Sequence, residues 1–182
     1  MTSEVQNKGY VMLSVLKKKE ENTQSCSTQN CCAPQPKGKE ECLECHEKAN
    51  GVLAKTVEHL LTGEAKKELS CFEGFYYCKT PSCEVVYFRD KEILTQKDLS
   101  VVVGLKVGAN PATVCYCFEW SKEKIKKELT EKGETVALEE ITAKMENPGC
   151  SCETLNPSGG CCLGDVGKAV KEIQKDLGFS NV

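Results

Sequence analysis

The chemistry of this sequence sits in its cysteines, 14 of 182 residues against only 2 histidines. Most of them come in close pairs. Cys42 and Cys45 form a C-x2-C knuckle, Cys78 and Cys83 have four residues between them, and 32 residues separate the two pairs. A knuckle folds two thiolates toward one point, and a second pair at the mouth of a hairpin completes a tetrahedron of sulfur around Zn²⁺. Four thiolates leave no position for water, so the predicted role is structural. His46, His59 and Cys71 are spare donors, expected at the surface or in a core.

A second group follows. Cys115 and Cys117 flank Tyr116, and 32 residues after Cys117 comes a dense cluster: Cys150, Cys152, Cys161 and Cys162. Cys161 and Cys162 open a strongly periodic helix, and the loops around them contain Gly149, Gly159, Gly160 and Gly164. Unpaired backbone N–H groups and the helix dipole there suit an anionic centre. A 2Fe-2S cluster on four thiolates fits better than Zn²⁺, although sulfur ligation alone does not separate the two. Six cysteines compete for four places. Neighbours in a C-C pair diverge, so one of Cys161 and Cys162 is expected to ligate, and one of Cys150 and Cys152; spacing does not choose between them. A third set, Cys26, Cys31 and Cys32, lies in a polar N-terminal stretch. Soft thiolates there suit Cu(I) or another thiophilic ion, which accepts two or three ligands and needs no folded cavity, or else they are incidental to a disordered tail.

These groups need elements to position them. Residues 1–39 are rich in Gln, Asn, Ser, Thr and Lys, and read as a flexible cysteine-containing tail. A short helical patch is expected at 56–61, with Val57, Leu60 and Leu61 on one face. Strands are expected at 74–77 and 84–88, bracketing the second cysteine pair, and a third where Val101, Val103, Leu105 and Val107 alternate. Beyond Asn110-Pro111 the pattern turns helical. Ser121 reads as the N-cap of a helix carrying Ile125 and Leu129 and stopping near Gly133. A second helix is expected at 135–146 with Leu138, Ile141 and Met145 inward. The last carries Leu163, Val166, Val170, Ile173 and Leu177 on one stripe, with Gly178 closing it. The fold class is therefore α+β: a small β-rich zinc-binding domain at 40–109, then a small helical domain at 110–182. Each part is about 70 residues, a size at which a bound metal supplies much of the folding free energy.

Composition excludes several functions. A formal charge of −3, from 24 basic and 27 acidic side chains, lacks the footprint of a nucleic-acid binder. The apolar stretch at Val11–Leu16 is too short for a signal peptide and runs into KKKEE; no run approaches the ~20 apolar residues of a membrane span. A cytoplasmic location without membrane insertion is expected, and in a reducing compartment paired thiols read as metal ligands. No P-loop, G-x-G-x2-G or G-x-S-x-G occurs.

Three segments carry a resemblance: FYYCKTPSCEVVYF at 75–88, VCYCFEWSKEKIKKEL at 114–129 and GCSCETLNPSGGCCLGDVGKAV at 149–170. From about Cys42 onward the chain resembles the N-terminal half of CopZ-type copper chaperones. That resemblance implies a zinc-binding domain followed by a helical domain similar to bacterioferritin-associated ferredoxins, with a 2Fe-2S cluster on Cys115, Cys117, Cys152 and Cys162. It also places Cys42, Cys45, Cys78 and Cys83 in the zinc region. Better-known members continue into a domain whose M-x-C-x2-C loop carries Cu(I) to a copper-pumping ATPase; no M-x-C-x2-C occurs in these 182 residues, so copper delivery is expected to be only partly inherited.

The expected function is soft-metal trafficking, most directly of copper, with one-electron reduction of Cu(II) to Cu(I) and delivery to a metal-transporting ATPase or redox partner. The spare thiols Cys150 and Cys161 would serve beside the cluster. Two alternatives stand: a ferredoxin-like electron-transfer protein, and a thiol or cluster sensor in heavy-metal resistance. Tyr77, Tyr116 and Trp120 either line a path to the cluster or fill the core.

Overall fold

The computed structural model describes residues 38–179. The tail cysteines Cys26, Cys31 and Cys32 lie outside the described residues.

Short strands, each marginal alone, build the first part. β1 (Lys39–Glu41) and β2 (Lys48–Gly51) form a hairpin, as do β3 (Tyr76–Tyr77) and β4 (Val85–Arg89); β5 (Glu92–Thr95) completes an antiparallel sheet in the order β1-β2-β3-β4-β5. β2 and β3 pair antiparallel, Asn50 opposite Tyr77. The β1–β2 and β3–β4 loops therefore emerge at the same end of the sheet. Between β2 and β3 the chain makes α1 (Ala54–Leu60) and α2 (Gly63–Glu68), the latter N-capped by Thr62. Val57 and Leu60 of α1 and the adjoining Leu61 bury against Phe75, Val86, Tyr87 and Leu94, as the apolar face at 56–61 predicts. β4 is buried on both faces, so its apolar run does not alternate: Val86 and Tyr87 join that core, while Val85 and Phe88 join Cys42, Ala49, Cys78 and Cys83.

The expected strand at 101–107 does not form. The segment is a series of turns, with Lys106 N donating to Val103 O and Ala109 N to Lys106 O. The Gln96 side chain takes the ladder's place, donating to Val101 O at 2.6 Å and accepting from Val103 N at 2.7 Å. Gly104 then passes so close to Thr113 that an added Cβ would lie 2.1 Å from its carbonyl oxygen. Alternation alone does not supply a neighbouring strand.

The second part pairs β6 (Thr113–Cys115) with β7 (Trp120–Ser121), followed by α3 (Lys122–Lys132), α4 (Ala137–Glu146), α5 (Cys152–Leu155) and α6 (Leu163–Asp176). Ser121 caps α3, accepting from Lys124 N; Ile125 and Leu129 are buried and the helix stops at Gly133, all as expected. In α4, Ile141 is buried and Met145 partly so, but Leu138 is 37% exposed and Ala137 takes the inward place. α6 buries Val166, Ala169, Val170 and Ile173, and Gly178 follows its C-cap. These side chains, with Trp120, Cys115, Cys152 and Cys162, form one core drawn entirely from this part. The architecture is α+β.

Candidate metal centres

The two hairpin loops at one end of the sheet bring four sulfurs together. In the β1–β2 loop Cys42 N donates to Glu47 O and His46 N to Cys42 O, a tight turn in which His46 adopts φ 58°. In the β3–β4 loop Cys78 N donates to Val86 O and Cys83 N to Thr80 O. The Sγ atoms of Cys42, Cys45, Cys78 and Cys83 all lie within 4.8 Å of one another. Cys42–Cys83 is 3.9 Å and Cys45–Cys78 is 3.6 Å. Tetrahedral bonds of 2.3 Å put sulfurs about 3.8 Å apart, so the donor set fits Zn²⁺ in chemistry and spacing. His46 and His59 are exposed and stand apart from this group.

Electrostatics divides the four. Burial pushes the Cys42 thiol up, and the Cys83 thiol up to about 12. For Cys45 burial is the largest single influence and also acts upward, yet the Thr80 hydroxyl 3.2 Å away and the backbone at Glu47 outweigh it and bring the thiol down to about 7. One side chain braces the whole loop. Lys106 Nζ donates to Cys78 O at 3.0 Å, Thr80 O at 3.0 Å and Val85 O at 2.7 Å, using all three ammonium donors. Nothing in the sequence marked this lysine, which sits in the segment that reads as a strand.

The second set assembles from four places. Cys115 ends β6, Cys117 lies in the β6–β7 turn, Cys152 opens α5 and Cys162 is the N-cap of α6. The sulfurs gather as two pairs, Cys115–Cys162 at 3.0 Å and Cys117–Cys152 at 3.7 Å. A hydrogen bond from Cys162, against burial and with help from the backbone at Phe118 and Cys117, brings the Cys115 thiol down to about 7; burial pushes Cys152 up to about 12. Cys162 is raised, first by its bond with Cys115 and then by burial. Cys150 and Cys161 are exposed, whereas their neighbours Cys152 and Cys162 are buried. Cys71 is half-buried under the Arg89 guanidinium, 3.0 Å from Nη1, remote in role from either set.

The two sets share a framework. Tyr116, between Cys115 and Cys117, accepts from Gly104 N at 2.8 Å and donates to Val102 O at 3.1 Å. The loop joining Cys152 to Cys162 lies on the sheet and α1: Tyr87 Oη donates to Pro157 O at 2.7 Å, Thr56 Oγ1 donates to Glu153 O at 2.6 Å, and Lys55 pairs with Glu153. Gly159, at φ +67°, lets the loop approach, since a Cβ there would meet Thr56 Oγ1 at 3.2 Å. No sequence pattern announced Tyr87 or Thr56 as contacts for this loop, because each becomes one only through tertiary packing.

Fold and thiol geometry together define a cysteine-rich metalloprotein built around a zinc-binding domain: the family model described as the CopZ "Zinc binding domain" matches residues 39–100. The chain belongs to the CopZ copper-chaperone family. It is 37% identical over 148 residues to the copper chaperone CopZ of Archaeoglobus fulgidus, covering 75% of this chain and 69% of that protein. The crystal structure of the Archaeoglobus fulgidus CopZ N-terminal domain is similar, with a TM-score of 0.58 at 30% identity, over 78% of this chain and 99% of that one. No helix among the described residues is long and apolar enough to cross a membrane.

Proposed function

We propose that this protein takes part in copper trafficking as a two-centre metalloprotein. Zn²⁺ is held by Cys42, Cys45, Cys78 and Cys83 in a domain of residues 40–109. A 2Fe-2S cluster is held by Cys115, Cys117, Cys152 and Cys162 in a helical domain of residues 110–182, of the bacterioferritin-associated ferredoxin type. The observation that carries the second centre is the gathering of those four thiols as two close pairs within one core. A two-iron cluster needs two thiolates for each iron.

A reduced 2Fe-2S cluster held there would supply one electron, enough to convert the substrate Cu(II) to Cu(I), the ion that thiolates favour. The chain's own residues do the rest. The hydrogen bond from Cys162, the backbone at Cys117 and Phe118 and the charge of Lys144 favour the Cys115 thiolate, and the exposed thiols Cys150 and Cys161, close in sequence to two cluster ligands, receive the soft ion; Cys26, Cys31 and Cys32 of the segment 1–39 are further soft-metal ligands. Delivery is to a metal-transporting ATPase or a redox partner in the cytoplasm.

Metal analysis with electron paramagnetic resonance on anaerobically purified protein tests this. About one zinc and two irons per chain, a one-electron signal on dithionite reduction, and its loss on adding Cu(II) with Cu(I) retained are expected. A reducible cluster that leaves copper unbound would transfer the assignment to electron transfer. Zinc without iron would remove the redox function.

A further inference from the structure

Trp120 is fully buried, and its indole Nε1 has no hydrogen-bond partner; among the described residues it is the one buried side-chain nitrogen or oxygen in that condition. A buried donor without a partner is costly, so such a group in a well-formed core points to an acceptor. The surroundings restrict what that acceptor is. Trp120 shares its buried apolar core with Ile125, Leu129, Ala137, Ile141, the α6 side chains, and Cys115, Cys152 and Cys162, and the Lys124 ammonium, a donor and not an acceptor, lies 3.8 Å from its ring centroid. Sulfur is the only side-chain acceptor among them. Trp120 also pairs directly across the β6–β7 ladder with Cys115, and facing residues of an antiparallel pair share one side of the sheet. Trp120 therefore faces Cys115 across the ladder and shares a core with Cys152 and Cys162, and its Nε1 bonds none of them directly.

We propose that the Trp120 indole N–H donates a hydrogen bond to a sulfur of the iron-sulfur centre carried by these cysteines, and that this bond sets part of its reduction potential. The inference rests on the cluster reading above. Reduction adds negative charge to the sulfurs, so a donor aimed at them favours the reduced form and raises the potential. Losing a donor to an anionic sulfur is expected to shift the one-electron reduction equilibrium about tenfold toward the oxidised form, or about 59 mV downward. Trp120 is here a positioning and tuning residue; it exchanges neither electron nor proton.

Trp120→Phe keeps the ring and removes the donor. In the anaerobically purified full chain, the midpoint potential of the variant is expected to fall by about that amount with iron and zinc contents unchanged. An unaltered potential in a fully loaded variant overturns the inference and leaves the cluster reading intact. A second measurement covers a variant that fails to fold. The chain has a single tryptophan, so labelling with ¹⁵N-indole marks this nitrogen alone in the wild-type protein. Pulsed electron paramagnetic resonance of the dithionite-reduced sample is expected to detect coupling from the labelled nitrogen and from an adjacent proton that exchanges in D2O. Iron-loaded protein lacking both couplings overturns the inference by itself, whereas wild-type protein without iron overturns the cluster reading and this inference with it.

Discussion

Lys106 illustrates how one residue governs a centre it does not touch. Its ammonium group donates to the carbonyls of Cys78 and Thr80 and to that of Val85 at the start of β4, and each bond is charge-assisted. Lys106→Met keeps the stem but leaves three carbonyls short of a donor, at a cost of about 2–3 kcal/mol. Zinc transfer to a chelator should accelerate and the melting temperature should drop; an unchanged transfer rate would show that the loop holds its shape without the lysine. Gly104 is a sharper case. A Cβ there meets backbone, with Thr113 N at 2.3 Å and O at 2.1 Å, and backbone cannot rotate away. Gly104→Ala should cost about 3 kcal/mol or more, read as loss of soluble protein or a large fall in thermal midpoint.

At the scale of elements, the loop that carries Cys152 and Cys162 depends on the opposite part of the molecule for its position. Tyr87→Phe removes the hydrogen bond to Pro157 O and should cost about 1–2 kcal/mol. Because Tyr87 stays packed in its own core, the loss should appear locally, as faster amide exchange across residues 152–160 with the sheet unaffected; uniform acceleration would mean that the bond serves global stability instead. The same scale explains which elements could be read in advance. α3 and α6 are specified locally, by the Ser121 cap and by apolar residues at helical spacing, and both appear where expected. The knuckle at Cys42 and Cys45 is equally local. β1 is exposed at every position, and β2 is mostly polar, so neither carries a periodic signal. β2 is defined by pairing with Tyr76 and Tyr77 far along the chain, and β1 by its hairpin with β2. The segment at 101–107 fails for the converse reason, an alternating pattern with a glutamine side chain where a strand partner was needed. Lys106 and Tyr87 escaped notice because their partners are backbone carbonyls, which leave no trace in residue type.

For the whole molecule, metal occupancy and pH act with opposite signs. In the metal-free protein Cys42 and Cys83 are buried as neutral thiols, Cys83 raised from the ordinary 9.0 to about 12. A raised value means that their contribution to stability is complete below pH 9 and is lost as pH climbs through each thiol's own elevated value, about 12 for Cys83, when burial of the thiolate is penalised. Zinc binds the thiolates, so protons compete with it and the loaded protein loses stability as pH falls. Around pH 8 these two cysteines release about two protons per zinc bound, and the other ligands add any proton they still hold. Affinity should therefore weaken at least about 100-fold for each pH unit lowered near pH 8, since the slope equals the number of protons released. Below about pH 7, Cys45 adds its own proton and steepens the fall. Competition against a chelator of known pH behaviour measures that slope directly. A value of about two or more at pH 8 is expected for a four-thiolate site with two high-pKa members; a slope below one would mean that Cys42 and Cys83 are not both ligands, and the zinc assignment would have to be redrawn.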